Sequence, residues 1–187
     1  EASRDTGITS KARVFMGGWD FLVDVVGSGI FFSNELLVRA GFSIGINALT
    51  EARSSSPDFF STPFFLEQKW VVGNMMSSGF TEIEVKRGTN LDLLVSEIKS
   101  SITSLRKATK NTRGIVFSGG LSFNSQLPQA LANALSQDVE RTSSRISEAV
   151  GASIVASVSA GLSPDFEFFR KVLVSGRKKF EPEYHPD

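Results

Sequence analysis

Residues 81–118 have the sequence TEIEVKRGTNLDLLVSEIKSSITSLRKATKNTRGIVFS, whose hydrophobic period changes twice. Residues 81–87 alternate polar and apolar side chains, as in a strand with one buried face. The apolar residues that follow are three or four positions apart and share one helix face: Leu91, Leu94, Val95, Ile98, Ile102 and Leu105. Residues 114–118 are typical of a short buried strand. The stretch therefore predicts a strand–helix–strand unit with parallel strands and a right-handed crossover.

The same alternation continues toward the carboxyl end of the chain. Apolar residues from Leu127 to Val150 predict one long helix, and residues 152–159 predict the next strand. Ser163-Pro164-Asp165 is a typical helix start, with a hydroxyl that can cap the helix and a proline in its first turn. We expect this last helix to end at Gly176.

The first half of the chain has a weaker pattern. Ser33 is expected to begin a helix that reaches Arg53, and Thr62-Pro63 to begin another that extends through Ser78. The four glycines between residues 14 and 32 leave that segment open to either strands or a short helix.

Together these elements define the expected fold. Helices and strands alternate over residues 62–176, which predicts an α/β fold with a mostly parallel sheet covered by helices. We expect a single domain over residues 1–187, with an irregular N-terminal region (1–32) and an extended C-terminal tail (180–187). The first residue is Glu1 rather than methionine, from which we expect either a processed form or an artificially prepared one; no signal peptide is recognisable.

Composition excludes several classes of protein. Lysine plus arginine and aspartate plus glutamate both number 20, so bulk attraction to nucleic acid is not expected. There is no cysteine, which excludes disulfides and thiolate chemistry, and the single histidine, His185, lies in the tail. The most apolar region is interrupted by four charged residues, so no transmembrane segment is expected. The sequence identifies no cofactor and no cellular compartment.

Small and hydroxylated residues follow each predicted strand of the second half. Carboxyl ends of parallel strands meet at one sheet edge, where α/β proteins bind ligands. Glycines there allow close approach, and free N–H groups at helix starts attract anions. The predicted ligand-binding residues are Arg87, Gly88, Thr89, Ser118, Gly119, Gly120, Ser122, Gly161 and Ser163. The same residues also serve as ordinary turn residues in an α/β fold, and neither common phosphate-binding glycine motif occurs.

Carboxylates suggest two metal-based alternatives. Asp20 and Asp24 are four residues apart, so they can face one metal ion or simply form the polar side of an amphipathic element. Pro57-Asp58, followed by Glu84-Val85-Lys86 or by Glu67-Gln68-Lys69, resembles the PD…(D/E)xK pattern of metal-dependent nucleases. Acid-x-Lys triplets occur three times in the chain, which makes this pattern unspecific.

Residues 59–65 contain four phenylalanines in an expected connection. They predict either rings folded over the core or an apolar surface for a protein partner. The preferred hypothesis is a non-catalytic binding or assembly module that engages a protein partner, a second copy of itself or a small ligand. The alternative is an enzyme acting on a small anionic substrate at the Gly/Ser-rich sheet edge, and the third is the nuclease. Whether the chain is an enzyme stays open.

Overall fold

A computed structural model describes residues 2–32, 35–41, 43–76, 91–110 and 114–183. Within these ranges the helices are α1 Ala2–Thr6, α2 Asp20–Gly27, α3 Leu91–Thr109, α4 Gln126–Leu135, α5 Ser147–Ser159 and α6 Glu167–Ser175. The strands are β1 Leu36–Ala40, β2 Ile44–Thr50, β3 Phe60–Pro63, β4 Trp70–Met76, β5 Ile115–Ser118, β6 Val139–Arg141 and β7 Lys178–Phe180. A short 3-10 helix, Gly120–Phe123, follows β5.

The strands of the described residues form one mixed sheet in the order β3-β4-β2-β1-β5-β6-β7. Only β1 with β5 and β5 with β6 are parallel, while β1–β2, β2–β4, β3–β4 and β6–β7 are antiparallel. The expectation of a mostly parallel sheet is therefore wrong. The cause is in the first half of the chain, where neighbouring strands are joined by short turns rather than by crossover helices.

Helices cover both faces of this sheet. Leu36, Val38 and Ala40 of β1 point to one core, which they share with α3 and α4. Leu37 of β1 points to the other core, which is closed by α2, α5 and residues of α6. This alternation follows from the two-residue period of a strand, and it makes the central strands apolar on both sides.

That double burial explains the first of two wrong predictions. The described part of residues 33–53, expected as one helix, contains β1 and β2. The described part of residues 62–78, also expected as a helix, contains the end of β3 and all of β4. Every residue of β1 and β2 is buried. A strand buried on both faces has apolar residues at nearly every position, so its period does not distinguish it from a buried helix.

The predicted boundaries of the helices and strands between residues 127 and 159 are also wrong. The long helix expected over 127–150 is α4, then β6, then the beginning of α5, with Ser136 in the left-handed conformation at the end of α4. Residues 152–159, expected as a strand, lie within α5. Residues 1–32, expected to be irregular, contain α2, six of whose residues are buried.

Other predictions are confirmed. The helix beginning at Leu91, the strand ending at Ser118 and the helix ending before Gly176 are α3, β5 and α6. The strand expected at residues 81–87 lies outside the described residues, so its pairing stays a prediction. No helix in the described ranges is long and apolar enough to cross a membrane.

Candidate functional site

The parallel strands β1, β5 and β6 bring their carboxyl ends to one edge of the sheet. Ala40, Ser118 and Arg141 end these strands, and the backbone N–H of Thr142 donates to the carbonyl of Phe117. The turns after β5 and β6 therefore lie side by side. This is the edge where the sequence predicts a ligand site.

Two adjacent glycines in the β5 turn have different surroundings. Gly119 has φ +82°, and a Cβ atom there would overlap the carbonyl group of Ala40 and lie 2.7 Å from its carbon. Gly120 has open space at the same position. The hydroxyl of Ser122, itself buried, donates to the carbonyl of Gly119 over 2.7 Å. Gly119 is thus required by the fold, whereas Gly120 faces open space.

A cleft of about 360 Å³ opens directly at Gly120. It lies between the β5 turn, the amino end of α4 and the turn after β6. Its lining residues are Gly120, Leu121, Phe123, Asn124, Ser125, Gln126 and Arg145. The Arg145 guanidinium and the positive end of the α4 helix dipole give this cleft positive potential.

Two arginines contact the same phenyl ring beside the cleft. The guanidinium carbon of Arg141 lies 4.1 Å from the Phe123 ring centroid, and that of Arg145 lies 4.6 Å from it. Burial, together with the charge of Arg145, lowers the pKa of Arg141 from its usual value. The two guanidinium groups repel each other, so an anion bound beside them would be electrostatically favoured.

An acidic group lies at the same sheet edge. Arg39, the residue before Ala40, donates to the Asp20 carboxylate at the start of α2 over 2.6 Å and lies 3.8 Å from Glu148. The Asp20 side chain is 62% exposed. Partial burial favours the neutral acid, but the Arg39 hydrogen bond and charge outweigh it and lower the pKa of Asp20. Asp20 is therefore an accessible, ionised carboxylate.

A second carboxylate, Asp24, is fully buried behind the β5 turn. It accepts hydrogen bonds from Ser118 over 2.7 Å and from Ser28 over 3.1 Å. Burial raises the pKa of Asp24 to about 6, while the hydroxyls of Ser147, Ser118 and Ser28 oppose that rise and Glu148 adds to it. Asp20 and Asp24 thus face different partners rather than one shared metal ion.

Only part of the predicted ligand set comes together. Ser118, Gly119, Gly120 and Ser122 belong to the β5 turn, although Ser118 and Ser122 are buried. Gly161 and Ser163 do not follow a strand. They lie beyond the carboxyl end of α5, whose first residue packs near Gly27 of α2, so they are roughly 18 Å farther along the helix axis. Arg87, Gly88 and Thr89 lie outside the described residues.

The nuclease pattern receives no structural support. Asp58 lies in an exposed turn, where the Ser56 hydroxyl donates to its carboxylate over 3.2 Å. Lys69 pairs with Glu51, and Glu84 and Lys86 lie outside the described residues. No group of three or more metal-binding side chains occurs in the part of the chain that the structure describes.

The phenylalanines of residues 59–65 pack inward. Phe59 contacts the core beneath α3, while Phe60, Phe64 and Phe65 contact the core beneath α2. The Phe60 ring lies 5.0 Å from that of Phe21, and the Phe64 and Phe65 rings are 5.5 Å apart. Core packing, not a partner surface, accounts for this segment.

Several residues of the candidate site are not predicted by the sequence pattern. Arg141 and Arg145 lie within residues predicted as one helix, so their position at the sheet edge was not foreseen. Arg39 and Asp24 carry the only usable signal: each is a charged residue inside an otherwise apolar stretch. Such residues are rarely buried without a specific partner.

Comparisons with known proteins identify the fold. No protein-family model and no curated protein matches the sequence. Among solved structures, ligand-bound xylulose kinase and gluconate kinase, both from Lactobacillus acidophilus, each align with a TM-score of 0.76 at 14% identity, over 97% of this chain and 49% of theirs. Glycerol kinase from Plasmodium falciparum with ADP aligns with a TM-score of 0.71 at 11% identity, over 88% of this chain and 46% of its own. The chain spans about half the length of these kinases and has the fold found in that half.

Proposed function

We propose that this chain is the nucleotide-binding part of a kinase-like enzyme that acts on a small hydroxylated substrate. The observation that carries the proposal is the positively charged cleft at Gly120, at the carboxyl edge of a sheet whose fold is shared with three kinases. One of these three structures is of glycerol kinase with ADP. The proposal corresponds to the enzyme alternative of the sequence analysis and replaces the binding or assembly module as the preferred function.

The cleft suits the phosphate groups of a nucleotide. Gly120 leaves room for a ligand against the backbone, and the cleft lies at the amino end of α4, where the helix dipole is positive. Arg145 adds a full positive charge at the rim. A guanidinium is well matched to a phosphate group, because it offers several N–H donors together with a positive charge.

Asp20 is suited to act on the hydroxyl group that receives the phosphoryl group. In phosphoryl transfer to an alcohol, a carboxylate accepts the proton of the attacking hydroxyl while the terminal phosphoryl group moves to that oxygen, leaving a nucleoside diphosphate. Asp20 is exposed and ionised, and its partner Arg39 is next to Ala40, which contacts Gly119. We assign Asp20 the role of proton acceptor in this proposal.

A wider groove of about 880 Å³ beside α3 is a weaker candidate. Its charged lining residues are Asp58, Glu97 and Lys107, so acids outnumber bases. An anionic substrate is disfavoured there.

Calorimetric titration of the chain with ADP tests the proposal. We expect binding at submillimolar to millimolar concentration, and a loss of at least tenfold in affinity on Arg145→Ala. Arg170→Ala is the matched control, because Arg170 also lies over a phenyl ring, that of Phe32 at 4.6 Å, but does not line the cleft. Asp20→Asn should keep ADP affinity within about threefold. Absence of binding at millimolar ADP, or equal losses in both arginine variants, would contradict the proposal.

A further inference from the structure

Asp24 connects α2 to the end of β5 through a hydroxyl group. Its carboxylate lies on α2, yet one oxygen accepts from Ser118 at the end of β5 and the other from Ser28. The hydroxyl of Ser147, the first residue of α5, also favours the ionised form. Ser118 directly precedes Gly119, so the carboxylate lies immediately behind the turn that borders the proposed nucleotide cleft.

The charge of this carboxylate has no direct cationic partner among the described residues. Glu148 on α5 adds a second negative charge nearby. Arg39 on β1 is bonded to Asp20 and lies 3.8 Å from Glu148. Arg177 donates to the backbone carbonyl of Ser28, but its ion pairs are with Glu35 and Glu140.

An uncompensated buried charge is sensitive to a new charge beside it. An anion at the Gly119–Gly120 turn would repel the ionised Asp24 through protein rather than through water, where screening is weak. The neutral acid avoids this repulsion. Binding of an anion and binding of a proton at Asp24 must then strengthen each other by the same factor.

We propose that Asp24 takes up a proton when an anion binds at the Gly119–Gly120 turn, so that this site binds its anionic ligand and a proton together. The proposal rests on the proposed function, since it assumes that the turn is the anion site. It adds a regulatory property, namely that nucleotide affinity rises as the pH falls through the range in which Asp24 titrates. The ordinary carboxyl pKa lies too low for this, but burial brings that of Asp24 to about 6.

The test is ADP titration of wild type and Asp24→Asn at pH 7.5 and pH 5, with two buffers of different ionisation enthalpy at pH 6.5. At pH 7.5 the neutral variant should bind ADP on the order of tenfold more tightly than wild type, as expected for charges roughly 10 Å apart at an effective dielectric constant of about 20. At pH 5 the affinities should converge. Wild type should take up a fraction of a proton that the variant does not, and protonation of ADP itself cancels in this comparison.

Ser28→Ala provides a second test if Asp24→Asn does not fold. Ser28 bonds Asp24 but lies outside the β5 turn, and its hydroxyl favours the ionised acid. Without this hydroxyl the pKa of Asp24 should rise, so the pH at which ADP affinity begins to fall should move upward. The affinity for ADP at pH 5 should not change. If ADP binds with the same ratio of affinities at both pH values, this inference is overturned and the proposed function stands. If ADP does not bind to any form, the proposed function fails and this inference with it.

Discussion

Gly27 of α2 and Gly151 of α5 face each other where the two helices cross. A Cβ atom on Gly27 would lie 2.7 Å from the Gly151 nitrogen, and one on Gly151 would lie 2.8 Å from the Gly27 nitrogen. Both hypothetical atoms would also overlap backbone carbonyl oxygens, those of Ser147 and Val23. The helices are therefore in backbone contact, and no side chain fits at either position.

Gly151→Ala should accordingly destabilise the protein. Alanine is the better helix former by about 1 kcal/mol, but the overlap forces the helices apart, so we expect a net loss of at least about 2 kcal/mol. Chemical denaturation followed by circular dichroism measures this. Gly120→Ala is the control, because its Cβ has open space, and it should change the free energy of unfolding by less than about 0.5 kcal/mol. Equal effects in the two variants would contradict the close contact.

The two glycines of the β5 turn should respond differently to valine. Gly120→Val is expected to fold with a melting temperature close to wild type and to lose ADP binding, because its side chain would enter the cleft. Gly119→Val should unfold at a clearly lower temperature, since it combines a left-handed φ with overlap on Ala40. Thermal melts and calorimetry on the same samples distinguish these outcomes. A Gly120→Val protein that binds ADP normally would exclude this cleft.

Arg177 should be among the most important polar residues for stability. Its side chain is 2% exposed and donates to Glu35 over 2.7 Å, to Glu140 over 2.9 Å and to the Ser28 carbonyl over 2.8 Å. Arg177→Met removes the cation between two carboxylates, so we expect a loss of about 3 kcal/mol. Arg170→Ala, which breaks a 3.8 Å surface pair with Glu167, should cost less than about 1 kcal/mol. A cost for Arg177→Met as small as that of Arg170→Ala would contradict this role.

The raised pKa of Asp24 also predicts how stability changes with pH. The folded protein holds the proton more tightly than the unfolded chain, so Asp24 stabilises the fold most below pH 4 and loses that contribution as the pH rises through 6. A shift from 3.8 to about 6 corresponds to about 3 kcal/mol. The free energy of unfolding of Asp24→Asn, relative to wild type, should therefore increase between pH 4 and pH 7. A constant difference across that range would show that Asp24 has an ordinary pKa.

The sequence allowed prediction of those elements that have one buried face. Helix α3 repeats its apolar residues at helical spacing because only one side packs on the sheet, and all five of its buried residues lie in that repeat. Strands β1 and β2 are buried on both sides and carry no such signal. The short apolar run around Ile154 and Val155 favours a strand by propensity, and the strand predicted there is wrong because these residues belong to α5, which packs through backbone contact at Gly151.

For the site, the chain pattern located the β5 turn but not its partners. Gly119 and Gly120 follow a strand that was predicted, and turn glycines are visible in a sequence. Arg145, Arg39 and Asp24 reach the same edge only through sheet order and helix packing. Contacts between residues so far apart in the chain leave no local pattern.

The long reach of these contacts has a consequence for how the chain folds. The Ser118–Asp24 hydrogen bond joins residues 94 apart in sequence, and the Arg177–Ser28 bond joins residues 149 apart. By contrast, β1, β2, β3 and β4 pair largely with near neighbours in the chain. Closing a long loop reduces the conformational entropy of the chain before the new contact can stabilise it. Local hairpins therefore form early and distant pairs form late. Helix α2 precedes α5 and Arg177 in the chain, so during synthesis its buried face stays uncovered until these later residues follow, and in that interval it is exposed to misassembly and to chaperones.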